Sequence, residues 1–227
     1  MPAICVYIGG MTDDRKSGIA LIVGALGLII TMALHPVPVA SLTPEQVVRL
    51  MRMSGIAHSI AMVSALLLFL GACGLTRATL AADRIAFAAL VTFGFACIAV
   101  LVATAVSGFI MPGIMELMLR DAPANAQQWQ IVSAGIFQIN QAFSRIYSVA
   151  ASIAMILWSV SALRNGGFGY GVAIYGCIGA PIVVVAIAIG HLRLDVHGMA
   201  AVVVVQAVWF ILVGSQLRTR PEDAAAA

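Results

Sequence analysis

Six long apolar runs, separated by short polar connections, constrain this chain more than any other feature. They cover approximately residues 18–35, 55–76, 85–111, 131–163, 168–190 and 197–216. About 20 apolar residues in a helix cross the hydrocarbon core of a bilayer, and each run comes close to or exceeds that length. Only 9% of the 227 residues are charged, whereas about 25% are charged in a soluble domain. The sequence therefore predicts an all-α, polytopic membrane protein: a bundle of six transmembrane helices with the lipid bilayer as its main partner.

The apolar runs leave no stretch long enough for a second domain. We divide the chain into an N-terminal cytoplasmic segment (1–17), a six-helix transmembrane domain (18–217) and a disordered cytoplasmic tail (218–227). The charged residues follow the first apolar residues rather than precede them, so no cleaved secretory signal is expected. Met1 and Met11 are alternative starts of the chain.

Lysine and arginine are more frequent at the end of the bundle that carries both termini. Positive residues concentrate in cytoplasmic loops, so we expect a cell (inner) membrane protein with both termini in the cytoplasm. The net charge of +3 is small and gives no reason to expect a nucleic-acid partner. Arg145 falls within the fourth run and is not counted for either end. The positive residues at the end with the termini are Arg15, Lys16, Arg77, Arg84, Arg164, Arg218 and Arg220. Those at the opposite end are Arg49, Arg52, Arg120 and Arg193.

The two longer connections on the predicted outer face each contain a signal for a short amphipathic helix. In the first, Thr43 and Gln46 can form a capping box, with Pro44 at the first helical position. The short helix that begins there is expected to lie along the membrane interface and to end before the second span. In the second connection, Pro112-Gly113 is expected to break the third span, and residues 114–119 to form another interfacial turn.

All four histidines are predicted to lie at the outer end of the bundle. His35 and His191 close the first and fifth runs, while His58 and His197 stand near the starts of the second and sixth. Histidine is the most common metal ligand and changes charge near neutral pH. The four side chains are therefore candidates for a metal or haem site, for proton-linked gating, or for interfacial polar groups without a ligand.

The fourth run carries a stripe of polar residues on one helix face, because they are spaced three, four or seven residues apart. A polar stripe that faced lipid would be unfavourable, so we expect it to face the interior of the bundle. Arg145 then lies near the outer boundary, where it is a candidate anchor for an anionic group. Gln206, in the middle of the sixth run, is expected to form a hydrogen bond between helices. The stripe consists of Gln138, Gln141, Arg145, Ser148, Ser152 and Ser159.

These patterns lead to one preferred function and two alternatives. The preferred function is binding or transport of a small amphipathic or anionic ligand in an outward-facing pocket. Arg145 would anchor the ligand, with Gln138, Gln141, His58 and Ser148 as further partners. The first alternative is a redox protein that holds haem or copper between the four histidines, whose donor type suits both. The second is an assembly factor or structural subunit without a ligand.

Several classes of protein are excluded by the sequence itself. The single lysine, Lys16, lies outside the apolar runs, so no retinal Schiff base can form within a span. The chain contains no phosphate-binding loop motif, no H-E-x-x-H and no G-x-S-x-G. The sequence does not decide whether the protein is an enzyme, which ligand it takes or whether it forms a homo-oligomer.

Overall fold

Seven α-helices and one π-helical segment make up the part of the chain that the structure describes. The structure is a computed structural model, and it describes residues 14–36, 43–79, 83–121 and 125–219. The predicted N-terminal segment up to residue 13, the choice between Met1 and Met11, and the tail from residue 220 lie outside these ranges. The elements are α1 (Asp14–Leu34), α2 (Pro44–Thr79), α3 (Arg84–Ala105), the π segment (Val106–Ile110), α4 (Met111–Arg120), α5 (Ala126–Asn165), α6 (Tyr170–Ala188) and α7 (Val196–Arg218).

Six helices are long and apolar enough to cross a membrane, which confirms the predicted six-helix bundle. The π segment and α4 continue α3, and the three together form the third of these spans. The outward surface of the spans is apolar: Val63, Leu66 and Leu70 of α2 are each more than half exposed. Such a surface requires lipid as its solvent, so the fold is that of a multi-pass membrane protein.

The spanning helices pack in the order in which they occur in the chain, and the last one returns to the first. Helix α1 packs on α2, α2 on α3, α3 on α5, α5 on α6, and α6 on α7. Helix α7 also packs extensively on α1, which closes the ring. The first and the last spanning helix are therefore neighbours in one ring, and the core lies between the helices of that ring.

Glycines let α1 approach α2 and α7 closely enough for backbone contact. At the α1–α7 crossing, a Cβ atom added to Gly214 would lie 2.6 Å from the carbonyl oxygen of Gly18. At the α1–α2 crossing, a Cβ atom added to Gly24 would lie 2.9 Å from the carbonyl oxygen of Ser64. Only glycine fits these positions at the observed helix spacing. Small residues at crossings are typical of membrane bundles, since close approach of the backbones increases van der Waals contact.

An aromatic cluster fills the bundle between α3, α5 and α7. The rings of Trp158 and Trp209 stack with centroids 6.0 Å apart, and Phe93 meets Trp158 edge to face at 5.5 Å. Closer to the histidine-bearing end, the Gln206 side chain joins α7 to α5. Its Nε2 donates to the Ser152 hydroxyl at 3.1 Å, which confirms the predicted hydrogen bond between helices.

The capping box at the start of α2 is confirmed, but the helix that it begins is longer than predicted. The Thr43 hydroxyl accepts from the Gln46 N–H at 3.3 Å, and the Gln46 side chain accepts from the Thr43 N–H at 2.9 Å. The helix then continues unbroken to Thr79, for 36 residues. At 1.5 Å per residue it is about 54 Å long, while the hydrocarbon core is about 30 Å thick. The predicted interfacial helix is thus the first part of the second span.

At the opposite end of the bundle, Asp83 joins the start of α3 to the end of α5. Its carboxylate caps α3 by accepting from the Ile85 N–H at 2.9 Å. It also accepts from the Ser161 hydroxyl and, at 2.9 Å, from the Asn165 side chain. The hydrogen bond from Ser161 is the main reason why the pKa of Asp83 is lowered, followed by the one from Ile85.

We expect Asp83→Ala to destabilise the protein by about 2 kcal/mol, since it removes a helix cap and leaves a buried hydroxyl without its acceptor. Asp83→Asn keeps the cap but loses the charge. Because the folded-state pKa of Asp83 is lowered, its contribution is present above the ordinary pKa of aspartate and is lost as the pH falls through the folded value. Thermal unfolding in detergent should therefore show a difference in melting temperature between the parent and Asp83→Asn. This difference should be constant above about pH 5 and should decrease toward pH 3. A difference in melting temperature that does not change with pH would show that the charge of Asp83 does not stabilise the protein.

Candidate functional site

A cavity of about 370 Å³ lies inside the bundle at the end that carries the histidines. Five helices and the α6–α7 connection line it. Its wall is mostly apolar, with polar groups at defined points. The exposed residues Phe137 and Asp195 lie at its edge. The polar lining residues are Thr31, His35, His58, Thr104, Ser107, Asn140, Gln141, Ser144, Tyr147 and Asp195.

His58 is the most firmly held polar side chain of the cavity. It is only 4% exposed, and its Nδ1 lies 2.7 Å from the carbonyl oxygen of Ser54, one turn earlier in α2. A carbonyl oxygen can only accept, so Nδ1 carries the proton and donates it. In the neutral imidazole the lone pair is then on Nε2. The side chain therefore offers the cavity a hydrogen-bond acceptor, or a metal ligand, at Nε2.

The π segment of α3 positions His58 from the other side. Gly108 packs directly against the imidazole, where any Cβ atom would collide with it. In the π geometry, residue 112 would donate its N–H to the carbonyl of Ser107, but Pro112 has no N–H. The Ser107 carbonyl instead accepts from the Ser54 hydroxyl at 3.1 Å. The proline was predicted to break the third span, and this is wrong, because the π segment and Ser54 satisfy the backbone group that the proline leaves free.

His35 meets His58 in the wall of the cavity. The two rings are in edge-to-face contact, with centroids 5.1 Å apart and planes at 69°. Nδ1 of His35 lies 3.1 Å from the carbonyl oxygen of Pro36, so this ring also donates through Nδ1 and keeps its lone pair on Nε2. Burial lowers the pKa of His35, and the hydrogen bond to Pro36 offsets only part of that effect. The two acceptor nitrogens, Nε2 of His35 and Nε2 of His58, thus belong to rings that are in contact with each other.

The connection between α6 and α7 forms the other side of the cavity. The Gln141 side chain donates to the carbonyl oxygen of Leu194 at 3.2 Å and so ties this connection to α5. Asp195 caps α7 by accepting from the Gly198 N–H at 3.0 Å. That hydrogen bond lowers the pKa of Asp195, with smaller contributions from the backbone N–H of His197 and from the positive charge of Arg193. The cavity therefore has an ionised carboxylate at its edge at neutral pH.

The predicted polar stripe of α5 is buried in part only. Ser148, Ser152 and Ser159 are completely buried, and Gln141 lines the cavity. Arg145 and Gln138 are exposed and do not line it, so the prediction that they face the interior is wrong. Successive helix residues are about 100° apart, and the buried face is centred near Ser144 rather than on Arg145. The spacing showed that these residues lie on one side of α5. Which of them are buried depends on how α5 packs against its neighbours.

Ser148 lies just beneath the cavity without lining it. Its hydroxyl donates to the carbonyl oxygen of Ser144 at 2.8 Å and lies 3.7 Å from the sulfur of Met199. The side chains of Ser144 and Met199 line the cavity above it. Ser148 therefore supports the floor of the cavity through its neighbours.

The structure brings together two of the four predicted metal-binding histidines. His191 and His197 are exposed and do not line the cavity that holds His35 and His58. Within the described ranges, no three side chains among histidine, cysteine, aspartate and glutamate are grouped so that they could hold a metal ion. The four histidines do not converge, because His191 in the α6–α7 connection and His197 in the first turn of α7 are both exposed.

On α5, three polar lining residues were missed in the sequence: Asn140, Ser144 and Tyr147. Ser144 had a usable signal, since it lies three residues after Gln141 and four before Ser148 and thus continues their stripe. Asn140 and Tyr147 had no such signal, because a tyrosine or asparagine in a long helix fits an exposed position equally well.

The fold and the site together define a multi-pass helical membrane protein with an internal cavity next to a fixed pair of imidazoles. Comparisons with models of protein families, with curated proteins and with solved structures find no match to this chain.

Proposed function

We propose that this protein binds a small amphipathic ligand in the cavity, as a membrane binding protein or transporter. The observation that carries the proposal is an internal cavity whose apolar wall surrounds a few fixed polar groups. Its volume of about 370 Å³ falls in the range of small-molecule sites, about 300–1,000 Å³. Gln141 and His58 are held by backbone carbonyls before any ligand arrives, which reduces the entropy lost on binding.

Arg145 is not part of this proposal, because it lies outside the cavity. The ligand's polar part would instead meet His58, His35 and Gln141. This favours an amphipathic ligand over the anionic one that the sequence suggested. The predicted orientation, with the histidine end outward and both termini cytoplasmic in the cell membrane, stays a proposal that rests on the distribution of lysine and arginine.

The proposal is tested by filling the cavity from the side of α3. Ala103 lines it and is 7% exposed, so Ala103→Leu places extra methyl groups in the empty volume. The control is Ala88→Leu, which adds the same groups to an exposed position on the same helix. With octan-1-ol as the probe, the parent and Ala88→Leu should show the same rise in melting temperature. Ala103→Leu should bind octanol at least about tenfold more weakly, a difference of about 1.4 kcal/mol. Equal stabilisation of all three proteins would refute the cavity as a binding site.

A soft metal ion is the second candidate ligand, and haem is disfavoured by geometry. Metal-binding histidines usually donate their other nitrogen to a carbonyl or carboxylate, as His35 and His58 do. The sulfur-containing side chains of Met32 and Met199 line the same cavity, and thioether with imidazole suits Cu(I). Two axial imidazoles on a haem iron have metal–nitrogen bonds of about 2 Å in line, which puts their ring centroids about 6 Å apart. The observed 5.1 Å is too short for a haem between this pair. Competition with the Cu(I) chelator bicinchoninate would detect a copper site.

A further inference from the structure

Four of the polar side chains that line the cavity, those of Thr31, His35, His58 and Thr104, donate their hydrogen bonds to backbone carbonyls. The Thr31 hydroxyl donates to the carbonyl oxygen of Gly27 at 2.9 Å, and the Thr104 hydroxyl donates to that of Val100 at 2.8 Å. The two imidazoles donate through Nδ1 to backbone carbonyls, as described above. What these side chains can still offer a ligand is the lone pair of an oxygen or of Nε2.

The charge at the cavity is negative. Among the described residues that line it, Asp195 is the only aspartate or glutamate, and none is a lysine or arginine. Arg193 and His197 lie near Asp195 in space as well as in the chain, but neither lines the cavity, so the charged group that faces a ligand is the carboxylate. An anionic head group would be repelled by the carboxylate of Asp195 at the edge of the cavity, and inside the cavity it would meet the lone pairs of the acceptor nitrogens.

Two aromatic rings add to this preference. Phe137 and Tyr147 line the cavity, and the face of an aromatic ring attracts a cation. The remainder of the wall, which includes Leu28, Val100 and Val203, suits an alkyl chain. A lipophilic amine fits these groups: its charged N–H donors suit the acceptors, the carboxylate and the aromatic faces, and its alkyl chain suits the apolar wall.

We infer that the ligand is an amphipathic organic cation whose head group donates hydrogen bonds, with a primary alkylammonium as the simplest example. This inference rests on the proposed binding function and names the chemical class of its ligand. A primary ammonium carries three N–H donors and one positive charge, so it can donate to an acceptor nitrogen while its charge is attracted by the carboxylate at the edge of the cavity.

The test compares three probes of equal chain length in a neutral detergent at pH 7.5: octylammonium, octan-1-ol and octanoate. Dissociation constants come from the dependence of the melting temperature on probe concentration. Octylammonium should bind at least about tenfold more tightly than octanoate, with octanol between them. Tighter or equal binding of octanoate or octanol would overturn the inferred class. If Ala103→Leu leaves the binding of all three probes unchanged, the cavity itself is not the site, and the proposed function fails instead.

A matched pair of variants locates the charge that is responsible. Asp195→Asn removes the carboxylate and keeps a residue that caps helices as well as aspartate does, so the fold is retained. Glu116→Gln removes one negative charge from α4, which does not line the cavity. The ratio of the octanoate to the octylammonium dissociation constant should fall close to one in Asp195→Asn and stay at the parental value in Glu116→Gln. The same ratio in both variants would overturn the role of Asp195 and, with it, the inference.

Discussion

Gly18→Leu is expected to destabilise the bundle by about 3 kcal/mol, the upper part of the usual range for overpacking. A Cβ atom at Gly18 would lie 2.8 Å from the backbone nitrogen of Arg218 in α7. A flexible side chain could move away from such a contact, but the backbone of a packed helix cannot. The leucine must therefore push α1 and α7 apart and open the ring. Unfolding by SDS in mixed micelles measures the change in free energy.

Gly135→Leu is the matched control, because a Cβ atom at Gly135 would meet nothing within 4 Å. Leucine forms helix more readily than glycine, so the stability of this variant should be unchanged or raised by up to about 0.8 kcal/mol. If both leucine variants behave alike, close packing of α1 on α7 does not hold the bundle together.

Trp158→Ala is expected to have a still larger effect on the core, about 3–5 kcal/mol. Trp158 is completely buried and contacts Phe93 and Trp209. Its removal leaves a void between α3, α5 and α7, and a rigid bundle can fill that void only in part. The same SDS titration gives the stability, and the near-ultraviolet circular dichroism of the stacked Trp158–Trp209 pair should be lost.

Two further variants separate packing from hydrogen bonding at this position. Trp158→Phe keeps an aromatic ring but loses the N–H that donates to the Thr76 hydroxyl at 3.0 Å. It should lose about 1 kcal/mol for the hydrogen bond, plus a smaller amount for the reduced ring size. Trp129→Ala serves as a control because that indole lies in the first turn of α5, outside the aromatic cluster, where its N–H donates to Asp121 at 2.7 Å. A loss in Trp129→Ala as large as in Trp158→Ala would show that the aromatic cluster is not the centre of stability.

Features that depend on local composition were predictable from the sequence. The six spans follow from run length, and the cap at Thr43 follows from residue types three positions apart. The hydrogen bond of Gln206 was also predictable, since an amide in the middle of an apolar span has to find a partner inside the bundle.

Features that depend on packing between helices were not predictable. The exposure of Arg145 depends on how α5 is rotated against its neighbours, and a one-residue shift in the centre of the buried face reverses it. The course of the chain through Pro112 depends on Ser54, which is 58 positions away and lies in another helix. The pairing of His35 with His58 depends on how α1 packs on α2, and the exclusion of His191 and His197 depends on which side of the α6–α7 connection and of α7 is exposed.

The closure of the ring between α1 and α7 also has a consequence for the time course of biosynthesis. The two glycines that meet there, Gly18 and Gly214, are roughly 200 residues apart, and chains grow at about 5–20 residues per second. The glycine surface of α1 thus faces lipid or newly inserted helices for roughly 10–40 s before its partner exists. The contact of α1 with α2 can form within that interval, whereas the contact of α1 with α7 can form only after α7 has been made.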